Sequence, residues 1–424
     1  MKKKFTTILT LMMTCMLCLT ACGGKKNQDD SAGEGLEGTY DIRVWVSDSP
    51  GLKESFENQI KAFNEANPGV VINAAIEAVG EGNAANSMLN DVESGADIYC
   101  FSQDQLARLV TAGALTKLSP AAAEKVKAEH DTDSVTAASI GGELFCYPLT
   151  SDNGYFMFYD KSVINESSLD SLEAIIADCE AANRLFSMEL ETSAWYNAAF
   201  MFATGCVSEW TTNAKGEFTA VNDTFNSDAG VIALKGMQKL LKSKAYNSAS
   251  SASGFAAPVP SAVVVAGAWE ISAAKEALGE NYGVTDLPSF EVDGKSYHLG
   301  SFKGNKLLGV KPQKDAKRAA VLRELALYLT GEECQTQRCA EFGWGPSNIK
   351  AQETEVAQSN PALTALREQS PYAVLQGQIH GSWWDIARLY ATSAKEATTD
   401  EELKAALKSY EDSINGLFSK SAEQ

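Results

Sequence analysis

Two hydrophobic periods alternate along most of this chain. Residues 41–46 read as a strand, and Leu52, Phe56, Ile60 and Phe63 then recur every three or four positions, the spacing of an amphipathic helix that Asn67-Pro68-Gly69 ends. Residues 70–76 are the next strand, a polar helix is expected around 87–93, and Gly95-Ala96-Asp97 leads into an apolar strand at 98–101 and a helix at 105–112 closed by Gly113. A second passage of this kind runs from 169 to about 290, with helices at 172–182 and 229–242 and an apolar strand at 262–266 that runs into Gly267-Ala268-Trp269-Glu270. The aromatic segment Ser193-Ala194-Trp195-Tyr196-Asn197 is grouped with loops and strand ends, 283–288 with strands, and 248–254 with loops. Beyond an apolar strand at 306–310, helices are expected at 317–329, 361–369 and 383–393, and a last one carries Leu403, Leu407, Tyr410, Ile414 and Leu417 on one face. Strand and helix in alternation predict an α/β architecture, in which ligands gather at the carboxyl ends of strands; Ser102, Gln103 and Asp104 stand at such an end.

Residues 142–161 separate the two passages. Two short aromatic strands flank Thr150-Ser151-Asp152-Asn153-Gly154; Pro148 denies the sheet a donor and Gly154 permits unusual backbone angles. The segment reads either as a hairpin within one sheet or as a crossing from one sheet to another, the hinge of a two-lobed binding protein. Gly343-Trp344-Gly345-Pro346-Ser347 punctuates the chain a second time.

The 424 residues, 45% of them hydrophobic, suffice for two domains. Residues 1–21, with Lys2-Lys3-Lys4 before a short apolar run, have the layout of a secretory signal, and Leu19-Thr20-Ala21-Cys22 resembles a bacterial lipobox with Cys22 as the lipidated amino terminus. Residues 22–39, polar and glycine-rich, then form a tether reaching roughly 20 to 25 Å. This places the protein outside the cytoplasm, on the outer face of a bacterial cell membrane. Loss of the signal removes three lysines and leaves 33 basic against 55 acidic residues, a net charge of −22. Such a field repels nucleic acid and anionic lipid and favours neutral or cationic ligands. Membrane attachment is expected through the lipid alone, and the chain is expected to act as a monomer. The six cysteines beyond Cys22, namely Cys100, Cys146, Cys179, Cys206, Cys334 and Cys339, lack metal-knuckle spacing and read as buried thiols, with a few disulfides compatible with the compartment.

Candidate chemistry lies where flat rings neighbour carboxylates and amides: Trp269 beside Glu270, Trp195 beside Tyr196 and Asn197, Trp384 beside Asp385, and Tyr155 beside Asp152 and Asn153. Sugars present apolar C–H faces and hydroxyl edges, so a sugar site needs both kinds of group. Each tryptophan alone reads more readily as core than as a ligand contact; together they point to a binding site. Asp104 and Asp152 also make a candidate acid–base pair for glycoside hydrolysis if held roughly 5 to 10 Å apart. His130, His298 and His380 are the only histidines, and metal, triad and nucleotide motifs are missing, so no cofactor or metal is expected.

The order of lipobox, tether, Gly95-Ala96-Asp97-Ile98, Asp104, Ala112-Gly113-Ala114-Leu115, Gly142-Glu143-Leu144, Tyr147-Pro148, Tyr159-Asp160-Lys161, Gly267-Ala268-Trp269 and Tyr282-Gly283-Val284-Thr285 resembles the extracellular solute-binding proteins of sugar ABC importers, nearest to their maltose and maltodextrin branch. The resemblance runs from about residue 40 to the end. It implies a two-lobed periplasmic-binding-protein-like α/β fold (type II) with crossing hinge segments, lobe one formed by residues 40–149 and 299–345 and lobe two by 150–298 and 346–424. It implies a neutral oligosaccharide, an α-linked glucan, bound in the cleft and passed to the permease subunits of an ABC importer, with no catalysis. Asp104 and Asp152 would bond hydroxyls, and Trp195, Trp269 and Trp384 would stack on rings, with Asn153, Tyr155 and Glu270 beside them. The chain departs from that branch at Phe101, Gln105 and Ser193, where the branch has a tryptophan, an arginine and a glutamate. A polyamine or other cationic solute, suggested by the charge, and a secreted glycoside hydrolase are the alternatives.

Overall fold

A computed structural model describes residues 36–419; the signal segment, Cys22 and most of the tether lie outside the described residues. Two five-stranded sheets carry the architecture. In the first, Gly38–Val46 pairs in parallel with Val70–Ala78 and Ile98–Ser102, and Lys306–Val310 runs antiparallel between Ile98–Ser102 and Cys146–Thr150. In the second, Leu185–Ser187 pairs in parallel with Tyr246–Asn247 and Ser261–Ala266, and Phe156–Asp160 runs antiparallel between Ser261–Ala266 and Tyr282–Thr285. Both sheets therefore share one plan, four strands running one way and one reversed between two of them, as befits the two lobes of this α/β fold.

Each sheet has its own core. Leu52, Phe56, Ile60 and Phe63 of the helix Leu52–Ala66 and Val321, Leu322, Leu325 and Leu329 of Ala316–Leu329 pack on the first sheet, on the faces their spacing predicts. Leu403, Leu407, Tyr410 and Ile414 of the helix Asp400–Ser419 do the same beside the second. Each such side chain, fully buried, contributes about 1.5–3 kcal/mol.

The 142–161 segment is a crossing. Cys146–Thr150 belongs to the first sheet and Phe156–Asp160 to the second. Here the chain lies against two others: the Ser151 amide donates to the Gly345 carbonyl at 3.0 Å, and the Asn153 amide to that of Gly304 at 3.1 Å. Leu299 and Phe302 pack in the second core, Leu307 in the first. Gly343 ends the helix Glu332–Phe342 at φ 76°, a left-handed cap that glycine adopts without strain, and turns the chain toward Gly345.

Three expectations need correction. The polar helix expected at 87–93 is Glu81–Asn90, because the Asp91 side chain accepts from the amides of Glu93 and Ser94 and folds those residues into a turn. The aromatic segment at 193–197 opens a helix, Ala194–Ala203, in which every residue from Tyr196 to Phe202 is buried. The helix expected at 383–393 is two, Trp383–Ala387 and Leu389–Glu396. The six cysteines are all free and buried. Among the described residues no helix is long and apolar enough to cross a membrane.

Candidate ligand-binding site

Two adjoining cavities lie where strands of the first sheet end and the second core begins. The larger, about 600 Å³, is lined on one side by Ser102, Asp104, Gln105 and Arg108 and on the other by Trp195, Gln376, Ser382 and Trp384. The smaller, about 270 Å³, is lined by Asp48, Glu81, Trp269 and Lys306 among others. Both are bordered by Gly82, Ser102 and Asn153, so they meet at the crossing. The larger falls within the usual volume range of small-molecule pockets.

Strand ends place the polar groups. Ile98–Ser102 runs directly into the short turn Gln103–Gln105, which sets Asp104 at the cavity wall. Asp104 is 6% exposed. Burial pushes its carboxyl up to about 7, opposed by hydrogen bonds from its own backbone, Trp384 and Gln376 and by the positive charge of Arg108. Gln105, a departure from the maltodextrin branch, braces the wall beside it. Its Oε1 accepts from the Ala85 amide at 3.0 Å and its Nε2 donates to the Gly82 carbonyl at 2.9 Å, which fixes the helix Glu81–Asn90 in place. Arg108 donates to Asn86 Oδ1 at 2.8 Å.

Packing places the rings. Trp195 stacks on Phe302 with centroids 4.8 Å apart and planes 17° apart, and Trp384 lies 6.2 Å from Trp195 and 4.8 Å from the buried Trp383. Trp269 follows the strand Ser261–Ala266 and folds over Gly267, where an added Cβ would come within 2.2 Å of the indole. The two small residues before the ring thus let it lie flat against the backbone. Lys306, 3% exposed, sits 4.0 Å from the Trp344 ring centroid and 5.5 Å from that of Trp269, with Glu81 Oε1 3.3 Å from its ammonium. Buried charge of this kind holds only with such partners.

Asp104, Asn153, Trp195 and Trp384 line the larger cavity, and Asn153 and Trp269 the smaller. The other three candidates are turned elsewhere. Asp152 is 1% exposed and its Oδ2 accepts from the Gly345 amide at 2.6 Å, which ties two strands of the crossing together. Tyr155 is fully buried between Trp195 and Tyr196, at 5.7 and 5.1 Å. Glu270 accepts from the Ala252 amide at 2.7 Å. Asp104 and Asp152, proposed from sequence as an acid–base pair, do not share a cavity wall.

Sequence reading missed Gln376, whose Oε1 accepts from Asn153 Nδ2 at 3.1 Å, and Gln378, which accepts from the Ala107 amide at 2.8 Å and donates to the Gln103 carbonyl at 3.1 Å. Together they strap the 376–381 loop across to the turn bearing Asp104. It also missed Lys306, read only as the start of an apolar strand, and Arg108 and Glu81. A lone charge opening an otherwise apolar strand was the signal available for Lys306. Among the described residues no group of His, Cys, Asp and Glu is arranged to hold a metal ion.

The chain matches no curated protein sequence. Its fold is shared with solved structures over nearly its full length. One solved with acarbose is 25% identical, covers 89% of this chain and 100% of its own, and has a TM-score of 0.75. The maltodextrin-binding protein of L. casei BL23 without ligand is 20% identical, with 88% and 99% covered and a TM-score of 0.73. The maltose/maltodextrin-binding domain of Bdellovibrio bacteriovorus bound to maltotriose is 18% identical, with 89% and 100% covered and a TM-score of 0.71. Residues 58–365 match the model of a family described as bacterial extracellular solute-binding protein. With two like-built sheets, a crossing between them, cavities at the strand ends and a family match over most of its length, this chain belongs to the bacterial extracellular solute-binding proteins.

Proposed function

We propose that this protein captures a neutral oligosaccharide, an α-linked glucan, and delivers it to the permease of an ABC importer without altering it. The observation that carries this reading is the pairing, in one cavity, of the Trp195 and Trp384 rings with Asp104, Asn153 and Gln376: stacking faces beside hydrogen-bonding groups, the complement of a sugar ring. The acarbose- and maltotriose-bound structures of the same fold support it. Asp152 and Glu270 act through the hydrogen bonds that hold the crossing and the turn Ala252–Ala256. The lobes divide near 150–155, 303–306 and 343–347, and their closure over the sugar supplies the shape a permease recognises.

A panel of sugars in a thermal-shift assay, with release of reducing ends from maltotriose followed in parallel, tests the reading. Stabilisation by malto-oligosaccharides without turnover is expected. Turnover at enzyme rates would replace it with a glycosidase, and stabilisation by polyamines alone with a cation binder.

Cys22 anchors the mature protein to the outer face of the cell membrane through a thioether-linked lipid. Metabolic labelling with a fatty acid checks this: label on the wild type and none on Cys22→Ser is the expected pair, and a labelled variant refutes the anchor.

A further inference from the structure

The smaller cavity contains the parts of a cation site, and a side chain of the protein itself fills it. Lys306 opens a strand that is otherwise leucine, glycine and valine, and its backbone pairs with Ser102 on one side and Thr150 on the other. The ammonium stands over the Trp344 ring, 4.0 Å from the centroid, and over the Trp269 ring at 5.5 Å, with Glu81 Oε1 at 3.3 Å. Two indole faces and a carboxylate are how proteins recognise a bound ammonium. The carboxylates here depend on that charge. Glu81 Oε2 accepts from Ser47 Oγ at 3.1 Å, but Oε1 is buried and takes no hydrogen bond among the described residues. Burial raises the Asp152 carboxyl, and the Lys306 charge is the largest influence opposing it. Asp48 lines the same cavity, where Lys306 is the one cation among the described residues.

We infer that Lys306 is a specificity-determining residue: its ammonium occupies the cage of Trp269, Trp344 and Glu81 and so keeps amines out of a cavity whose acidic lining would otherwise draw them in. The inference rests on the proposed capture of a neutral sugar and deepens it, by naming the group that excludes cationic solutes. A net charge of −19 concentrates cations at the surface, so selection against them has to be local. An amine that entered the cage would have to displace an ammonium tethered to the chain and already desolvated, and would leave Lys306 buried without its counter-ion. A neutral ring makes no such demand. It lies against Trp269 and bonds Asp48 and Asn153 while Lys306 keeps its partners.

The test empties the cage and offers it a foreign amine. Lys306→Ala removes three carbons and the ammonium, the atoms of n-propylammonium; n-propanol is the uncharged control of the same size. Calorimetry should find n-propylammonium bound at least about tenfold more tightly by Lys306→Ala than by the wild type, with n-propanol bound by neither, and the preference for maltotriose over n-propylammonium should fall by at least about tenfold. In the double variant Lys306→Ala, Glu81→Gln the gain should vanish, because the carboxylate that held the amine is gone. A wild type that binds the amine as well as the single variant does, equal binding of amine and alcohol, or a gain that survives Glu81→Gln overturns the inference. If Lys306→Ala does not fold unaided, refolding from urea decides: recovery with n-propylammonium alone supports the cage, and recovery with both additives or with neither overturns it. Failure of the wild type to bind maltotriose would overturn the sugar reading, while the amine titrations still decide the cage.

Discussion

Of the groups that line the two central cavities, those from the first lobe are polar, among them Asp48, Glu81, Ser102, Asp104, Arg108 and Lys306, whereas every tryptophan, Trp195, Trp269 and Trp384, stands on the side of the second. The two sides are also held differently. Polar contacts among neighbours preset the polar side: hydrogen bonds from Gln105 to Gly82 and to Gln105 from Ala85, from Arg108 to Asn86, and the ion pair of Lys306 with Glu81. Contact with other rings and with glycine backbone sets the aromatic side. A hydrogen-bonded wall reads hydroxyl directions and a ring wall supplies buried area, so substitutions on the two sides should differ in kind as well as size.

The largest effect is expected on the aromatic side. Trp269 is half-buried, so Trp269→Ala should weaken sugar binding by about 1.5–4 kcal/mol, the range of a buried aromatic anchor, while denaturant unfolding of the ligand-free variant changes much less. Loss of about 3–5 kcal/mol of folding stability with wild-type affinity in the folded fraction would make the ring ordinary core and undo the contrast.

On the polar side, Asp104→Asn should cost about 1.5–3 kcal/mol of binding, the value of a hydrogen bond to a charged group. It should also change how stability depends on pH. The carboxyl keeps its proton to about 7 in the fold, whereas its ordinary value is 3.8. Between those values the folded protein binds more protons than the unfolded chain, so this group costs stability progressively as pH rises through that window. Urea unfolding should therefore find the variant gaining on the wild type between about pH 4 and about pH 7. A difference constant with pH would mean that Asp104 is ionised throughout. His130, lowered to about 4 by burial, titrates in both proteins and cancels from the comparison.

The smallest expected effect is that of salt. A neutral ligand has no charge to screen, so affinity should change less than about twofold between low and moderate ionic strength despite the net charge of −19. A steep loss would transfer the recognition to the polar side alone and favour a cation.

The fold was largely legible, because helices such as Leu52–Ala66 bury one face and leave the period of that face in the sequence. Ala194–Ala203 was not, since a helix buried on nearly all sides carries no such period. In the candidate site, Trp269 was legible at the strand end after Ala266 and Asp104 at the strand end after Ser102. Gln376 and Gln378 were not, lying in a polar loop whose meaning comes only from partners more than 200 residues away. A hairpin at 208–223 passed unread because its strands alternate only weakly between half-buried and exposed positions.

Seven tryptophans serve this chain, and three of them face the central cavities. Indole emission follows the polarity and motion of what surrounds the ring, and under the proposed function these three would exchange solvent for ligand at every binding event. Trp384 is in addition bonded to a carboxyl that changes charge near neutrality. On that reading the protein would carry its own optical gauge, one in which occupancy of the cavities and ionisation of Asp104 are both read without an attached label.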